Sequence, residues 1–206
     1  MTDSETQAIR DDLAFLRGLV QRGDDFLRSL GRVYFAGGVC YLAQTLLGTG
    51  QGLGWITTTD GPINLLIGIG PTAVFLVALV VIGRLSRAKP APGQATRTIG
   101  AVFGAIGLSN LVLVWVIGSA ALREKSLTIW LIYPCAVFIL QGAAWLTFFS
   151  LRRQGWTALI AAIWFGCAIG MGWASGNLAI YGAFAGIGLL FGMTVPGAWL
   201  MTRKSA

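Results

Sequence analysis

Six apolar stretches make up most of this chain after residue 32, and each is about as long as a helix needs to cross a membrane. They run approximately over 33–53, 63–83, 99–122, 127–150, 156–174 and 178–201. About 20 apolar residues span the hydrocarbon core of a bilayer. Charged residues are 11% of the chain, whereas soluble domains carry roughly 25%. The sequence therefore predicts an all-α polytopic membrane protein with six transmembrane helices.

Basic residues fall in alternate connections between these stretches. The connection 84–98 carries Arg84, Arg87, Lys89 and Arg97 without an acid, and the later basic segments on the same side carry Arg152, Arg153, Arg203 and Lys204. The intervening connections 54–62, 123–126 and 175–177 have little net positive charge. Short loops rich in Lys and Arg stay in the cytoplasm. We therefore expect three helical hairpins with both termini in the cytoplasm.

Two of the stretches share a short motif. GPTAVF occupies 70–75 and YPCAVF occupies 133–138, which aligns Pro71 with Pro134. This match favours an internal repeat with units 33–87, 97–153 and 155–204, parallel because each two-helix unit returns to its starting side. Chance similarity between apolar segments is the competing explanation.

Residues 1–32 are predicted to form a cytoplasmic amphipathic helix, separate from the transmembrane bundle 33–206. Its apolar residues follow heptad spacing, which is typical of a helix that packs along another helix: Ile9, Leu13, Leu16, Val20, Gly23, Leu27 and Leu30. One interpretation places this helix flat on the inner leaflet. The other makes residues 9–30 a contact for a protein partner or a second copy, through Leu13, Leu16, Val20, Leu27 and Leu30.

The residue types that usually carry chemistry within a membrane are missing from the predicted spans. All eight acidic residues lie in the N-terminal segment or in connections, and the chain has no histidine. Proton relays and coupled transport use intramembrane ionisable residues, and general acid–base catalysis needs similar groups. The three cysteines, Cys40, Cys135 and Cys167, lack metal-site or disulfide spacing. We expect no enzymatic activity, cofactor or metal. The net charge of +7 is explained by topology and anionic lipid rather than nucleic acid.

Neutral polar residues remain near the middle of the spans. Three amides have hydroxyl groups nearby, and together these residues are Tyr41, Gln44, Ser109, Asn110, Tyr133 and Gln141. One interpretation is that they form hydrogen bonds between helices. The other is that they line a cavity for a polar or amphipathic molecule, aided by helix kinks at Pro71 and Pro134.

Small residues and tryptophans give further expectations. Glycine pairs four residues apart in spans five and six favour close packing inside one hairpin, with a dimer interface as the alternative: Gly166/Gly170, Gly172/Gly176, Gly182/Gly186 and Gly188/Gly192. Tryptophans near span ends are typical of interfacial anchors: Trp55, Trp130, Trp156, Trp173 and Trp199.

These observations favour a small inner-membrane protein with a non-enzymatic accessory or regulatory role, acting through protein or lipid contacts. The alternative is an uncoupled transporter or channel for a small neutral or amphipathic solute. A compact chain without a cleavable signal, rich in Gly, favours the bacterial inner membrane.

Overall fold

The computed structural model describes the backbone of residues 3–58, 60–86 and 94–202, and side chains within 25–58, 60–85 and 97–202. The described elements are all helical and contain no strand. They are α1 (Asp3–Gly52), α2 (Gly61–Ser86), α3 (Gln94–Glu124), α4 (Leu127–Arg152), α5 (Gly155–Trp173), α6 (Leu178–Leu189), a π-helical turn (Leu190–Thr194) and α7 (Val195–Thr202). The all-helical expectation is confirmed. Arg87, Lys89, Arg203 and Lys204, four of the basic residues behind the predicted topology, lie outside the described residues.

Within the residues that the structure describes, five helical segments are long and apolar enough to cross a membrane by length and composition. They are Gly61–Leu85, Arg97–Glu124, Leu127–Arg152, Gly155–Trp173 and the combined α6–α7 segment Leu178–Thr202. The predicted first span, 33–53, is not among them. Its apolar residues are diluted by Gln44 and by the glycine-rich sequence that ends α1.

The N-terminal helix and the predicted first span form one element. Helix α1 runs from Asp3 to Gly52 without a break at the expected boundary between residues 32 and 33. The glycine there, Gly31, is held against the last helix, where a Cβ would lie 2.8 Å from Leu200 Cβ. A helix that lies on the leaflet and then crosses the bilayer needs a break or sharp kink between the two directions. The described backbone shows no break between the two predicted segments, and the separate, flat N-terminal helix stays a prediction.

Short connections turn the later helices back on their neighbours. Ser126 caps α4 by accepting a hydrogen bond from Ile129 N at 3.4 Å. Asn177 caps α6 in the same way, accepting from Ile180 N at 3.2 Å. Such caps satisfy amides that the first helical turn leaves without a partner. Consecutive helices accordingly pack against each other within the α3–α4, α4–α5 and α5–α6 pairs.

Helix α1 occupies a central position. It packs on α2 along one side and on α6, the π-helical turn and α7 along another. The second contact is antiparallel and runs from one end to the other. Its close approaches, in order, are Gly31 with Leu200, Gly38 with Thr194, Gly182 with Thr49, and Gly52 with Leu178.

The buried core lies where α4, α5 and the last helices meet. Its largest fully buried side chains are Trp145, Trp164, Phe148, Met171, Leu200 and Thr157. Helix α2 lies at the periphery, since Phe75 is the buried hydrophobic residue that it contributes. Most of the surface of α2 therefore faces outward.

The glycines of the last two predicted spans divide between core and surface. Gly170 lies under the ring of Phe184, Gly188 under Phe138 and Gly192 under Trp164. By contrast, a Cβ on Gly166, Gly172 or Gly176 would meet no atom within 4 Å. Internal packing therefore accounts for some of the glycine pairs in the last two spans. This packing involves α4 as well as the α5–α6 hairpin.

Candidate functional site: polar contacts between the helices

Gln44 joins α1 to α2 beside a proline. Its Nε2 donates to the carbonyl oxygen of Gly68, and its Oε1 accepts from Thr72 Oγ1 at 3.0 Å. Pro71 lies between these two residues inside α2 and has no N–H to offer the preceding turn. The Gln44 amide thus satisfies backbone and hydroxyl groups at a weak point of the neighbouring helix.

A second polar contact joins the same helices near their other ends. Gln51 Nε2 donates to Asn64 Oδ1 at 2.8 Å, and Asn64 Nδ2 donates to the carbonyl oxygen of Thr58 at 3.2 Å. The contacts of Gln44 and Gln51 lie on the same side of α1. Together with Phe75, which lies against Tyr41 at 5.2 Å between ring centroids, they hold the peripheral helix in place.

Gln141 bonds to α1 rather than to the other predicted amides. Its Oε1 accepts from the Tyr34 hydroxyl at 2.5 Å. The Tyr34 side chain is 3% exposed, and its ring makes edge contacts with Phe103 at 5.5 Å and Trp145 at 5.3 Å. Tyr34 therefore links α1 to both α3 and α4, and the sequence reasoning overlooked it. Its position in the first apolar stretch, one heptad before Tyr41, was the available signal.

The remaining predicted residues do not form one polar cluster. Tyr133 stacks on Trp130 at 5.3 Å, and Ser109 is exposed on α3. Asn110 Oδ1 is buried and has no hydrogen-bond partner. Gln44 and Gln141 are engaged by different partners on different helices. Gln44 thus contacts α2, Gln141 contacts Tyr34 of α1, and the oxygen of Asn110 is unbonded.

An open, apolar groove on the surface of α6 lies apart from these polar residues. It has a volume of about 370 Å³ and is lined by Ala179, Ile180, Ala183, Phe184 and Ile187 of α6. None of the predicted polar residues contributes to its lining.

Pro134 is supported by a tyrosine in a way that resembles Gln44 beside Pro71. The Tyr181 hydroxyl donates to the carbonyl oxygen of Leu131 at 2.7 Å, three residues before the proline, as Gly68 precedes Pro71. Cys135 Sγ lies 3.8 Å from the same hydroxyl. Near each proline of the shared motif, a side chain from another helix thus donates to the carbonyl three residues earlier, and the internal repeat itself stays a prediction. Tyr181 was not predicted, since a tyrosine in an apolar span gives no sign of which carbonyl it will reach.

The predicted partner helix is partly used inside the chain. Leu27 and Leu30 are 6% and 8% exposed and belong to the same buried cluster as Ile99 and Leu200. The side chains of Leu13, Leu16 and Val20 lie outside the described residues. Within the described side chains, no group of three Cys, Asp or Glu residues is placed to hold a metal ion.

Compared with protein families, curated proteins and solved structures, this chain matches none.

Proposed function

We propose that this protein is a non-enzymatic accessory or regulatory component of a membrane, and that α1 couples its transmembrane bundle to a partner in the cytoplasm. The observation that carries the proposal is the unbroken length of α1. Its 50 residues correspond to about 75 Å at 1.5 Å per residue. The hydrocarbon core is about 30 Å thick, so a large part of this helix extends beyond it.

The proposal includes α1 as a sixth transmembrane helix. The segment from Gly31 to Gly52 contacts the last apolar helix from one end to the other, so both lie at the same depth. Large apolar side chains on α1 also face outward, where lipid would cover them: Phe35, Val39 and Leu46 are 38%, 45% and 61% exposed. These contacts support a span that the composition of α1 leaves ambiguous.

The distribution of basic residues supports cytoplasmic termini. Arg32, Arg84, Arg97 and Arg153 are exposed, and the antiparallel packing brings them to one end of the bundle. The other end carries Arg123 and Lys125, accompanied by Glu124 and Asp60. The positive-inside rule assigns the first end to the cytoplasm. We propose a bacterial inner membrane as its location because the chain is small, compact and rich in glycine.

The partner surface that we propose is the N-terminal part of the heptad seam, formed by Leu13, Leu16 and Val20. Leu27 and Leu30 continue the same seam into the core, so a partner helix would extend that packing beyond the membrane. Heptad spacing suits a helical partner, which is either a second copy or a different protein.

The test is native mass spectrometry of the full chain in a mild detergent, comparing Leu16→Glu with Gln21→Glu. Both substitutions add one negative charge, but Gln21 lies off the seam. Loss of a dimer or of a stoichiometric partner in Leu16→Glu alone is the expected result. A deletion of residues 1–20 should have the same effect, since it spares Leu27 and Leu30. The same oligomeric state and partner content in all four proteins would overturn the coupling proposal.

Topology requires a separate measurement. Reporters inserted within 87–93 and at Ser126 should report cytoplasmic and external locations respectively. An external location for 87–93 would reverse the orientation, and equal locations for the two sites would contradict the hairpin between them.

The unbonded side-chain oxygen of Asn110 favours a second candidate function, the uncoupled transport of a small neutral or amphipathic solute. Its buried Oδ1 lacks a partner, and a bound solute with a donor group would satisfy it. Loss of uptake in Asn110→Leu with unchanged folding would support this function. If Asn110→Leu takes up every solute that the wild type carries, Asn110 has no role in transport. The same conclusion follows if the wild type takes up no solute.

A further inference from the structure

The proposed cytoplasmic end of the bundle combines arginine with exposed aromatic surface. Arg152 and Arg153 form the turn between α4 and α5, and Arg153 is exposed. Its backbone is left-handed, with φ of 53°, and its N–H closes α4 by donating to Phe149 O at 2.7 Å. Because the connection is so short, Trp156 follows within the first turn of the next helix.

Two tryptophans meet directly beside this turn. The rings of Trp156 and Trp199 lie 4.9 Å apart with an interplanar angle of 70°. Trp199 is 44% exposed. Trp156 is fixed from behind, since its Nε1 donates to Gln154 Oε1 at 3.0 Å and its ring contacts Trp145 at 5.6 Å. The pair thus presents a rigid aromatic surface that, through Trp156, is close in the chain to the turn that carries Arg152 and Arg153.

Other charges at this end strengthen the positive potential. Arg28 and Arg32 lie on α1, Arg84 near the end of α2 and Arg97 near the start of α3. The antiparallel α1–α2 contacts place Arg84 at about the height of Arg32. Among the described side chains, Asp25 is the acid at this end. The charge is therefore complementary to an anionic ligand.

We propose that Arg152, Arg153, Trp156 and Trp199 form a binding site for an anionic phospholipid of the cytoplasmic leaflet. This inference rests on the membrane placement proposed above, but not on the partner seam. The planar guanidinium group matches the geometry of phosphate oxygens. Tryptophan rings favour the headgroup level of a bilayer, so the exposed face of Trp199 contacts the glycerol and upper acyl region. The site then selects both for negative charge and for a diacyl anchor.

The experiment is lipid exchange into the purified full chain, followed by native mass spectrometry. The probes are phosphatidylglycerol, phosphatidylcholine with the same acyl chains, and inorganic phosphate. Phosphatidylglycerol should be retained in preference to phosphatidylcholine, and inorganic phosphate should not remain bound. Arg153→Gln should weaken phosphatidylglycerol retention about fivefold, on the scale expected for one basic residue near a membrane surface.

The matched control is Arg123→Gln, which removes the same charge from the opposite end. It should leave phosphatidylglycerol retention unchanged. Trp199→Ala should shorten retention of the diacyl lipid while all arginines remain. If Arg153→Gln and Arg123→Gln lose phosphatidylglycerol equally, the lipid responds to net charge and not to this site. Equal retention of phosphatidylglycerol and phosphatidylcholine by the wild type would also refute the site. The Leu16→Glu variant keeps this site intact, so failure of the partner seam and failure of the lipid site give different patterns.

Discussion

The contact between Gly38 and Thr194 offers a direct test of how α1 is held in the bundle. A Cβ built on Gly38 would lie 2.8 Å from both N and Cα of Thr194. These are backbone atoms, which cannot rotate away as the end of a side chain can. Ordinary contact begins at 3.4 Å, so Gly38→Ala would push the helices apart by about half an ångström or more. A gap of that size removes about a quarter or more of the dispersion energy at each affected contact.

Two opposing effects set the change in the free energy of unfolding that Gly38→Ala causes. Overpacking of a close interface costs about 1–3 kcal/mol. Replacing glycine by alanine within a helix contributes about 1 kcal/mol of helix propensity in the other direction. Gly48→Ala is the matched control because it is on the same helix and its Cβ would meet nothing within 4 Å. We expect Gly38→Ala to have a free energy of unfolding about 1–3 kcal/mol below that of Gly48→Ala.

The assay is reversible unfolding in mixed detergent, followed through the fluorescence of the eight tryptophans. Insertion into the membrane should be unchanged for both variants, since neither adds charge. Equal unfolding free energies for Gly38→Ala and Gly48→Ala would show that α1 does not approach the last helix as closely as described. The protein would then lack the close contact between α1 and the last helix that supports a sixth span.

Further predictions concern the hydrogen bonds between helices and use the same unfolding assay. Gln141→Leu should destabilise the fold by about 0.6–1.7 kcal/mol, the range for polar contacts in a bilayer, whereas Asn110→Leu should be neutral or stabilising because its oxygen has no partner to lose. Equal destabilisation by both would contradict this assignment. Tyr34→Phe keeps the ring contacts and removes one hydrogen bond, so a loss of about 0.5–1.5 kcal/mol is expected; a loss much larger than that of Gln141→Leu would indicate another partner. Tyr181→Phe should cost up to a similar amount by removing the shorter of two side-chain hydrogen bonds to the Leu131 carbonyl, which also accepts from Cys135 Sγ at 3.4 Å; an unchanged stability would show that this carbonyl does not depend on Tyr181.

Much of the helical layout was predictable because its causes are local. Apolar length marked the segments that became α2, α3, α4, α5 and the α6–α7 pair. The turns at Ser126 and at Asn177 followed from short polar interruptions with capping side chains. Helix α1 continues across residue 32, since a change from polar to apolar composition is a change of surroundings and does not itself stop a helix; the division of the chain at this residue stays a prediction.

The candidate site was less predictable. The hypothesis of hydrogen bonds between helices describes Gln44 and Gln141, and Asn110 has no such bond through its oxygen. Their partners include a backbone carbonyl and Tyr34, neither of which stands out in the sequence. An amide in an apolar environment must find a partner, but many groups can satisfy it.

Composition and charge pattern were enough to predict that the chain is helical, rich in membrane-length segments and asymmetric in charge. Each of these properties follows from short-range composition, since a helix in lipid satisfies its own backbone. The three-dimensional packing was needed to show that α1 continues unbroken into the bundle and lies against the last helix. It also decided which polar groups pair and that Trp156 meets Trp199 beside the arginines. These contacts join residues far apart in the chain, and they depend on the exact faces that the helices present to one another.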